Sequence, residues 1–578
     1  MPEPPRTLVQ MLLDQVDNQG DQIAFGYLPD GEGDVITLGY GELDRLARQI
    51  AVVLADRIAP GGRVVLMYPP GLEFIAGIFG ALYAGLVPVP IYPPNPASPA
   101  AGAAHLIRVV QDCSAEAVLT TELLESMAGV LPELAANARS VPWLATDSEE
   151  CLGVDPAEWG GPQSQGRDLG LIQYTSGSTS APKGVAVTHT NLVANQAAIA
   201  CASQSADDYL AMNWLPIYHD MGLGANVFHP IYRGGRSYLM SPMHFLQQPV
   251  RWLRAIERFG ATYAGGPNFG FELCLRRVSD EQKAGLDLSS WEVAFCGAEP
   301  IRAETLHRFI TRFAEHGFRA ETFTTCYGLA EATLLVTGAD AHRTAQTVWI
   351  DKGKLAGGAA VAVSEGAEGA IQLVSSGSQR AGNTVVIVDP VSEEECPAGE
   401  VGEIWVSGPI VSPGYWRRPE LNEITFGVRV PARDGAFLRT GDLGFKLGEE
   451  LYVTGRIKDL IIVGGRNIYP HDIELAVQEA DPRLRSGCGA AFGITVDQVE
   501  SIAIVQETAE DDQAELDLLI KKARKSVLEV HQVDPVAIVL IPARSLPKTT
   551  SGKIRRTAVR SAFLEQSLPA LAQFATGK

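Results

Sequence analysis

The 578-residue sequence is poor in cysteine, and its eight cysteines are scattered: Cys113, Cys151, Cys201, Cys274, Cys296, Cys326, Cys396 and Cys488. No Cys-x-x-Cys pair and no Cys/His cluster occurs, which argues against a disulfide framework or a zinc site and for reduced, mostly buried thiols. Positive charge is also scarce. Against 68 Asp and Glu stand 47 Lys and Arg, a formal net charge of −21. That balance excludes a general affinity for nucleic acid or for an anionic membrane surface, while leaving room for a local basic pocket. The opening residues, MPEPPRTLVQ, have neither the basic n-region nor the apolar h-region of a secretory signal, so a cytoplasmic protein is expected. One uncharged run, Phe74 to Tyr92, approaches bilayer-spanning length. Pro88 and Pro90 interrupt it and its glycines lower helix propensity. It is expected to be a buried helix running into a buried strand, with no integral membrane insertion.

Ordered pattern is plentiful. Thr7 is placed to cap a helix with Leu8, Met11, Leu12 and Val16 on one face, and Leu43, Leu46, Ile50 and Val53 repeat that spacing. Short apolar runs such as RVVLMY and PVPIY alternate with such helices to about residue 340. This alternation predicts an α/β fold with largely parallel sheets. The segment PPNPASPAAGAA, residues 93–104, reads as a loop. From about 370 to 455 the runs NTVVIVDP, GEIWVSG and ELYVTG predict an antiparallel or barrel-like subdomain. After GRIKD a smaller α+β unit is expected. Its long helix would bury Leu516, Leu519, Ile520, Ala523, Val527 and Val530. Residues 456–578 hold 16 basic and 16 acidic side chains, so the whole acidic excess lies upstream. A hinge near Lys458 is the expected boundary, giving domains 1–457 and 458–578.

Residues 173–185, QYTSGSTSAPKGV, combine glycine, hydroxyls and one lysine. The nucleotide-hydrolase loop requires Gly, four residues, then Gly-Lys-Ser/Thr, and here Lys183 precedes Gly184 instead. Ser176, Gly177, Ser178 and Thr179 still offer amides and hydroxyls, and Lys183 a charge, to a polyphosphate. Asp442, ending LRTGD, suits the hydroxyls of a ribose. GAEPI (Gly297 to Ile301) and CYGLAE (Cys326 to Glu331) each end a strand-like run with glycine beside a carboxylate. Tyr327 can stack on a base and Glu331 can hold Mg²⁺ through one carboxylate. LPKTTSGKIRR places Lys553 in a basic loop. Taken singly, each has a bland reading as a turn, a strand end or a solvated basic segment.

Together and in this order they resemble the adenylate-forming superfamily of acyl-CoA synthetases, luciferases and peptide-synthetase adenylation domains, over essentially the whole chain. YTSGSTSAPKG matches the family's phosphate loop except for Ser180 in place of Gly, and YGLAE has Ala330 where Thr is common. The resemblance implies a large N-terminal domain of two α/β sheet subdomains plus a β-barrel-like one, and a small mobile C-terminal domain swinging about Lys458. It implies ATP and Mg²⁺ as cofactors. Thr175 to Lys183 would hold the triphosphate. Gly297, Ala298, Glu299 and Pro300, with Cys326, Tyr327 and Gly328, would form the adenine site. Asp442 and Arg456 would bind ribose, Glu331 the metal, and Lys553 would bridge the carboxylate and the α-phosphate.

NWLPIYHDMGLG stands where amino-acid-activating relatives place a Phe-Asp-x-Ser stretch. His219 and Asp220 are expected at the carboxylate and phosphate end, with Trp214, Met221 and Leu223 facing an apolar substrate; His219 as a core histidine is the alternative. A fatty acid is favoured. Within the superfamily the chain is similar to fatty acyl-AMP ligases, which pass the acyl group to an acyl carrier protein, free or part of a polyketide or peptide synthase. VGGRNIYPHDIE follows that subfamily's form, and residues 339–369 lengthen the chain where its insertion falls, with Trp349, Ile350 and Leu355 available to dock it. Two alternatives stay open: a fatty acyl-CoA synthetase, and an inactive nucleotide-binding scaffold.

Overall fold

A computed structural model describes residues 7–93, 99–130, 141–175, 183–204, 208–431, 433–463, 466–496, 499–531, 533–549 and 552–575. Thr7 accepts the amide of Gln10 and starts the helix Leu8–Gln19, which buries Leu8, Met11 and Leu12. The uncharged run is the helix Glu73–Tyr83 followed by the strand Val87–Ile91, both buried. Its prolines sit in an edge strand, where a missing N–H costs little. No helix among the described residues is long and apolar enough to cross a membrane. All eight cysteines are free thiols, and most are buried, with Cys201 exposed.

The expected alternation builds two sheets. One is wholly parallel, in the order Val87–Ile91, Arg63–Met67, Ala117–Thr120, Trp143–Ala145. The other has nine strands, with a parallel centre formed by Phe323–Gly328, Val293–Cys296, Tyr263–Gly266, Leu210–Asn213, Arg236–Met240 and Ile23–Leu28. Between them runs an apolar core that includes Phe74, Phe79, Tyr83 and Phe228. Residues 384–456 form an antiparallel sheet in the order Thr384–Val388, Gly402–Ser407, Leu438–Leu447, Glu450–Arg456. Its two outer strands are not paired with each other among the described residues, so the barrel-like expectation resolves into an open sheet.

The segment expected as the insertion contributes the strand Thr347–Asp351, which pairs with Ala370–Val374, and the short helix Lys352–Ala356. Ile350 and Leu355 are buried against Phe445 and Tyr452, so these two dock it as expected. Strand alternation turns Trp349 the other way, into the central cleft.

Beyond residue 460 the chain makes its own cores on the two faces of a four-stranded sheet, Leu484–Val496, Val499–Thr508, Ala537–Pro542 and Ala572–Ala575. The helix Gln513–His531 buries Leu516, Leu519, Ile520, Ala523 and Val527. Val530 is 52% exposed, and His531 takes the next inward position instead. A second correction concerns residues 93–104. Proline suggested a loop throughout, yet a helix begins at Pro99 and runs to Cys113, because proline is well tolerated in a helix's first turn.

Candidate active site

A cleft of about 1980 Å³ opens between the body of the protein and the C-terminal region. Thr175, Lys183, His219, Asp220, Ala298, Glu299, Pro300, Cys326, Tyr327, Gly328, Glu331, Asp442, Arg456, Lys458 and Lys553 all line it. Residues separated by up to several hundred positions are thus brought together. Ser176, Gly177, Ser178 and Thr179, and the family departure at Ser180, lie outside the described residues.

At the phosphate-loop end, Thr175 and Lys183 face each other as the last paired residues of two antiparallel strands, Leu169–Thr175 and Lys183–Thr188. The Lys183 ammonium lies 5.5 Å from the centre of the Tyr415 ring. The Tyr415 hydroxyl donates to Glu331 Oε1 at 2.7 Å. Lysine, aromatic ring and carboxylate therefore form one linked group. Tyr415 escaped sequence reasoning. Its strand Gly414–Tyr415 is only two residues long and pairs beside Lys183–Thr188, a contact that local pattern does not report.

Asp442 is buried, and both of its oxygens are engaged. Oδ1 forms an ion pair with Arg456 Nε at 2.9 Å, and Oδ2 accepts the Tyr327 hydroxyl at 2.8 Å. Strand register explains the first contact, since Asp442 and Arg456 are directly paired across the hairpin. Burial, then the Asp442 charge, push the Tyr327 phenol far up, so it keeps its proton and donates. The Asp442 charge in turn raises the Arg456 pKa. The phenol bond also fixes the Tyr327 ring at the cleft wall.

On the facing wall the strand Val293–Cys296 ends in Gly297, where a Cβ would lie 2.7 Å from the Cys326 carbonyl oxygen and sulfur. Only glycine permits so close an approach of the two strand ends. Gly297 does not itself line the cleft; Ala298, at φ +65°, turns the chain into it. Glu299 then accepts the Phe269 amide at 2.6 Å. Burial raises the Glu299 pKa, against the pull of that amide and of Lys553.

His219 and Asp220 are in contact, Nδ1 to Oδ1 at 2.5 Å, and Asp220 also accepts the Met221 amide at 2.7 Å. Burial alone would raise the Asp220 pKa, but His219, Lys553 and the Met221 amide overcome it and hold the carboxyl at about 2. His219 is therefore a cleft residue. Trp214 and Met221 also line the cleft, as expected; Leu223 instead packs into the body core.

Lys553 enters from the C-terminal region, on a turn in which its amide donates to Thr549 Oγ1 at 3.0 Å. Burial lowers its pKa; Asp220 and Glu299 oppose that, while Arg456 adds to it. The turn is anchored by Arg556, whose Nε and Nη2 each donate to Glu474 at 2.7 Å. Lys458 occupies the one-turn helix Ile457–Asp459 in the cleft lining, its pKa lowered by desolvation and then by Arg456. Among the described residues no group of three or more metal-ligating side chains occurs. Glu331 nevertheless fits an ion held mainly by phosphate oxygens, since Tyr415 occupies only Oε1.

Comparison with known proteins shows the family. A family model described as AMP-binding enzyme matches residues 12–416, and one described as Disco-interacting protein 2-like, AMP domain, matches residues 458–573. A medium-chain fatty acid–acyl-carrier-protein ligase of Moorena producens is 41% identical over 572 residues, spanning 97% of this chain and 96% of that protein. The structure of a fatty acyl-adenylate ligase from L. pneumophila, in complex with acyl adenylate and pyrophosphate, is 37% identical with a TM-score of 0.76, over 99% of this chain and 98% of that one. A structure from studies of fatty acyl-adenylate ligases of E. coli and L. pneumophila reaches a TM-score of 0.87 at 30% identity, over 97% and 98%. The chain belongs to the AMP-binding enzyme family, and among its members to the fatty acyl-AMP ligases.

Proposed function

We propose that the protein uses ATP to convert a medium- to long-chain fatty acid to its acyl-adenylate, then transfers the acyl group to the phosphopantetheine thiol of an acyl carrier protein. The observation that carries this reading is that Lys553 lines one cleft with Asp220, Glu299 and the Asp442–Tyr327 and Glu331–Tyr415 pairs. The L. pneumophila structure's acyl-adenylate and pyrophosphate, and the carrier protein in the name of the Moorena relative, support it.

In this reading Thr175 to Lys183 hold the triphosphate. Ala298 to Pro300 and Tyr327 receive adenine, and Asp442 with Arg456 holds the ribose. The fatty carboxylate approaches the α-phosphorus beside His219 and Asp220. Its oxygen forms the new bond to phosphorus, the bond from α-phosphorus to the bridging oxygen breaks, and pyrophosphate leaves with that electron pair. Two anions must meet for this to happen, and the charge of Lys553 would offset their repulsion and the charge building on the α-phosphoryl oxygens. Glu331 would hold Mg²⁺, which supplies further charge neutralisation at the phosphates. In the second step the carrier thiol attacks the acyl carbonyl and AMP departs. The same reading divides the chain at Lys458 into a body, 1–457, with its insertion near 339–369, and a mobile unit, 458–578, whose swing withdraws Lys553 for the thiol step.

Enzyme, ATP and a fatty acid incubated with either coenzyme A or a phosphopantetheinylated carrier protein separate the acceptors. Acyl-carrier is the expected product; rapid acyl-CoA formation at ordinary enzyme levels would refute the carrier assignment.

A further inference from the structure

The cleft extends outward to a rim that none of the roles above uses. The short helix Pro242–Gln247 and the last turn of the helix Asn268–Arg277 form it, joined by Arg308 of the helix Ala303–Phe313. Leu246, Arg276, Arg277 and Arg308 line the cleft there. This rim is fixed to the substrate end of the cleft. Trp214 stacks on Phe245 of the short helix at 3.9 Å and meets Phe269 edge-on at 5.7 Å. Arg277 Nη1 donates to the Leu246 carbonyl at 2.8 Å, which ties the two helices together.

Two features set the rim apart. It is cationic on a chain whose formal net charge is −21. Arg276 and Arg308 share one carboxylate, Glu272, at 3.8 and 3.4 Å, and Arg277 has no carboxylate in ion-pair range among the described residues. Both shared contacts exceed the about 2.7–2.9 Å of a charge-assisted bond, so the guanidinium forks keep donors for an incoming acid. The rim is also apolar where the short helix faces outward. Met243 is 56% exposed and Leu246 38%, three residues apart and so on one side. Arg277 lines, besides the cleft, an adjoining hollow of about 320 Å³, which makes the patch a recess. Exposed methionine among arginines, with acids in the minority, is the composition of a protein interface. A small anion would use the arginines alone and leave the apolar pair in water.

We infer that this rim is the docking surface for the acyl carrier protein, which sets an acidic face on Arg276, Arg277 and Arg308 and an apolar side chain on Met243 and Leu246. This rests on the reading of the second step given above. That step needs a partner that delivers a thiol into the cleft from outside, and the rim is continuous with the cleft. The sign of its charge fits. An acidic carrier is repelled by the net charge of the chain and drawn to this patch, so the arginines set its orientation as well as its encounter rate.

The test reverses the rim's charge in the full-length protein, with Arg276→Glu, Arg277→Glu and Arg308→Glu combined, and separately spoils its apolar part with Met243→Asp. The acceptors are a phosphopantetheinylated acyl carrier protein that the native enzyme acylates, and free phosphopantetheine. Transfer to the carrier is expected to fall about tenfold or more in kcat/KM in the triple variant, chiefly through KM, and less in Met243→Asp. Transfer to free phosphopantetheine and ATP–pyrophosphate exchange should stay within about twofold, since distant sites act independently. Added salt should slow transfer to the carrier more in the native enzyme than in the triple variant. Unchanged transfer to the carrier overturns the inference. So does an equal loss with free phosphopantetheine, which makes the arginines a phosphate site, or an equal loss of exchange, which places them in adenylation or folding. Exchange by the native enzyme without transfer to any carrier defeats the carrier reading itself, and this inference with it.

Discussion

The body of the protein and its C-terminal region hold their carboxylates in different ways. In the body, two carboxylates that line the cleft rest on uncharged donors, Glu331 on the Tyr415 hydroxyl and Glu299 on the Phe269 amide, and Asp442 combines the Tyr327 hydroxyl with Arg456. Beyond residue 460 acids are matched with cations, as in Arg483 with Asp481 and Glu515, Arg485 with Glu507, Arg524 with Asp534 and Arg556 with Glu474. The C-terminal region thus balances its own charge, whereas the acidic excess of the chain lies in the body. Lys553 is held differently. Its charge is answered across the cleft by Asp220 and Glu299, so the site's electrostatics close only when both regions contribute.

Removing that one charge breaks the comparison most severely. Lys553→Ala is expected to lower adenylate formation by about 10²- to 10³-fold or more, the scale of losing one preorganised donor at developing charge. ATP binding should stay within about tenfold, because a single charge contact is lost from many. Pyrophosphate exchange and equilibrium ATP titration measure the two separately, and unchanged exchange would remove Lys553 from its role. The native enzyme adds a check by pH. Burial lowers the Lys553 pKa, so its charge is lost as pH rises and does so below the ordinary lysine range. The alkaline fall in kcat/KM should come correspondingly early and move upward in Lys553→Arg.

A smaller effect sharpens the other side of the comparison. Glu474 is 4% exposed and receives both donors of Arg556, besides the Ala491 amide. Arg556→Met leaves that carboxylate buried without its cation, at a cost of about 3 kcal/mol, the lower end for breaking a buried pair because the arginine is partly exposed. Thermal unfolding should begin earlier, and adenylation should drop with it as the Lys553 turn loses its anchor. The paired change Arg556→Met with Glu474→Leu is expected to restore most of the stability. If activity stays low in that stable double variant, Arg556 is a positioning residue for Lys553; if activity returns in full, its role is structural only.

Much of this was legible from the chain. The Thr7 cap and the buried run from Phe74 to Tyr92 follow from residue type and period, and the grouping of Lys183, Asp442 and Lys553 in one cleft from the family resemblance of their motifs. What stayed illegible depends on distant neighbours. Tyr415 meets Glu331 across 84 residues and Phe269 meets Glu299 across 30, and neither tyrosine nor phenylalanine carries a local sign of such a contact. Helical phase admits either Val530 or His531 after Val527, and hydropathy favours the valine. His531 takes the inward place, where burial lowers its pKa to about 4 and leaves it neutral at ordinary pH. The open sheet at 384–456 was beyond reach for a related reason: strand sequence announces pairing, but closure depends on which edges meet.

The Tyr415 hydroxyl is where the smallest effect is expected and where the two regions' strategies can be told apart. Tyr415→Phe keeps the ring beside Lys183 and removes only the donor to Glu331. A hydrogen bond to a charged group is worth about 1.5–3 kcal/mol, but Glu331 regains water or a cation when the cleft fills, so the lower end applies. A purely structural bond would show itself as a lower melting temperature alone. If the phenol instead holds one carboxylate oxygen so that the other faces a metal ion, the Mg²⁺ concentration giving half-maximal exchange should rise about threefold, while the rate at saturating Mg²⁺ changes little. A body carboxylate oriented by a neutral donor stays charged and free to take a cation from the substrate complex. One paired with arginine, as in the C-terminal region, would already be neutralised, and introducing such a pair with Tyr415→Arg should abolish the Mg²⁺ dependence together with the activity.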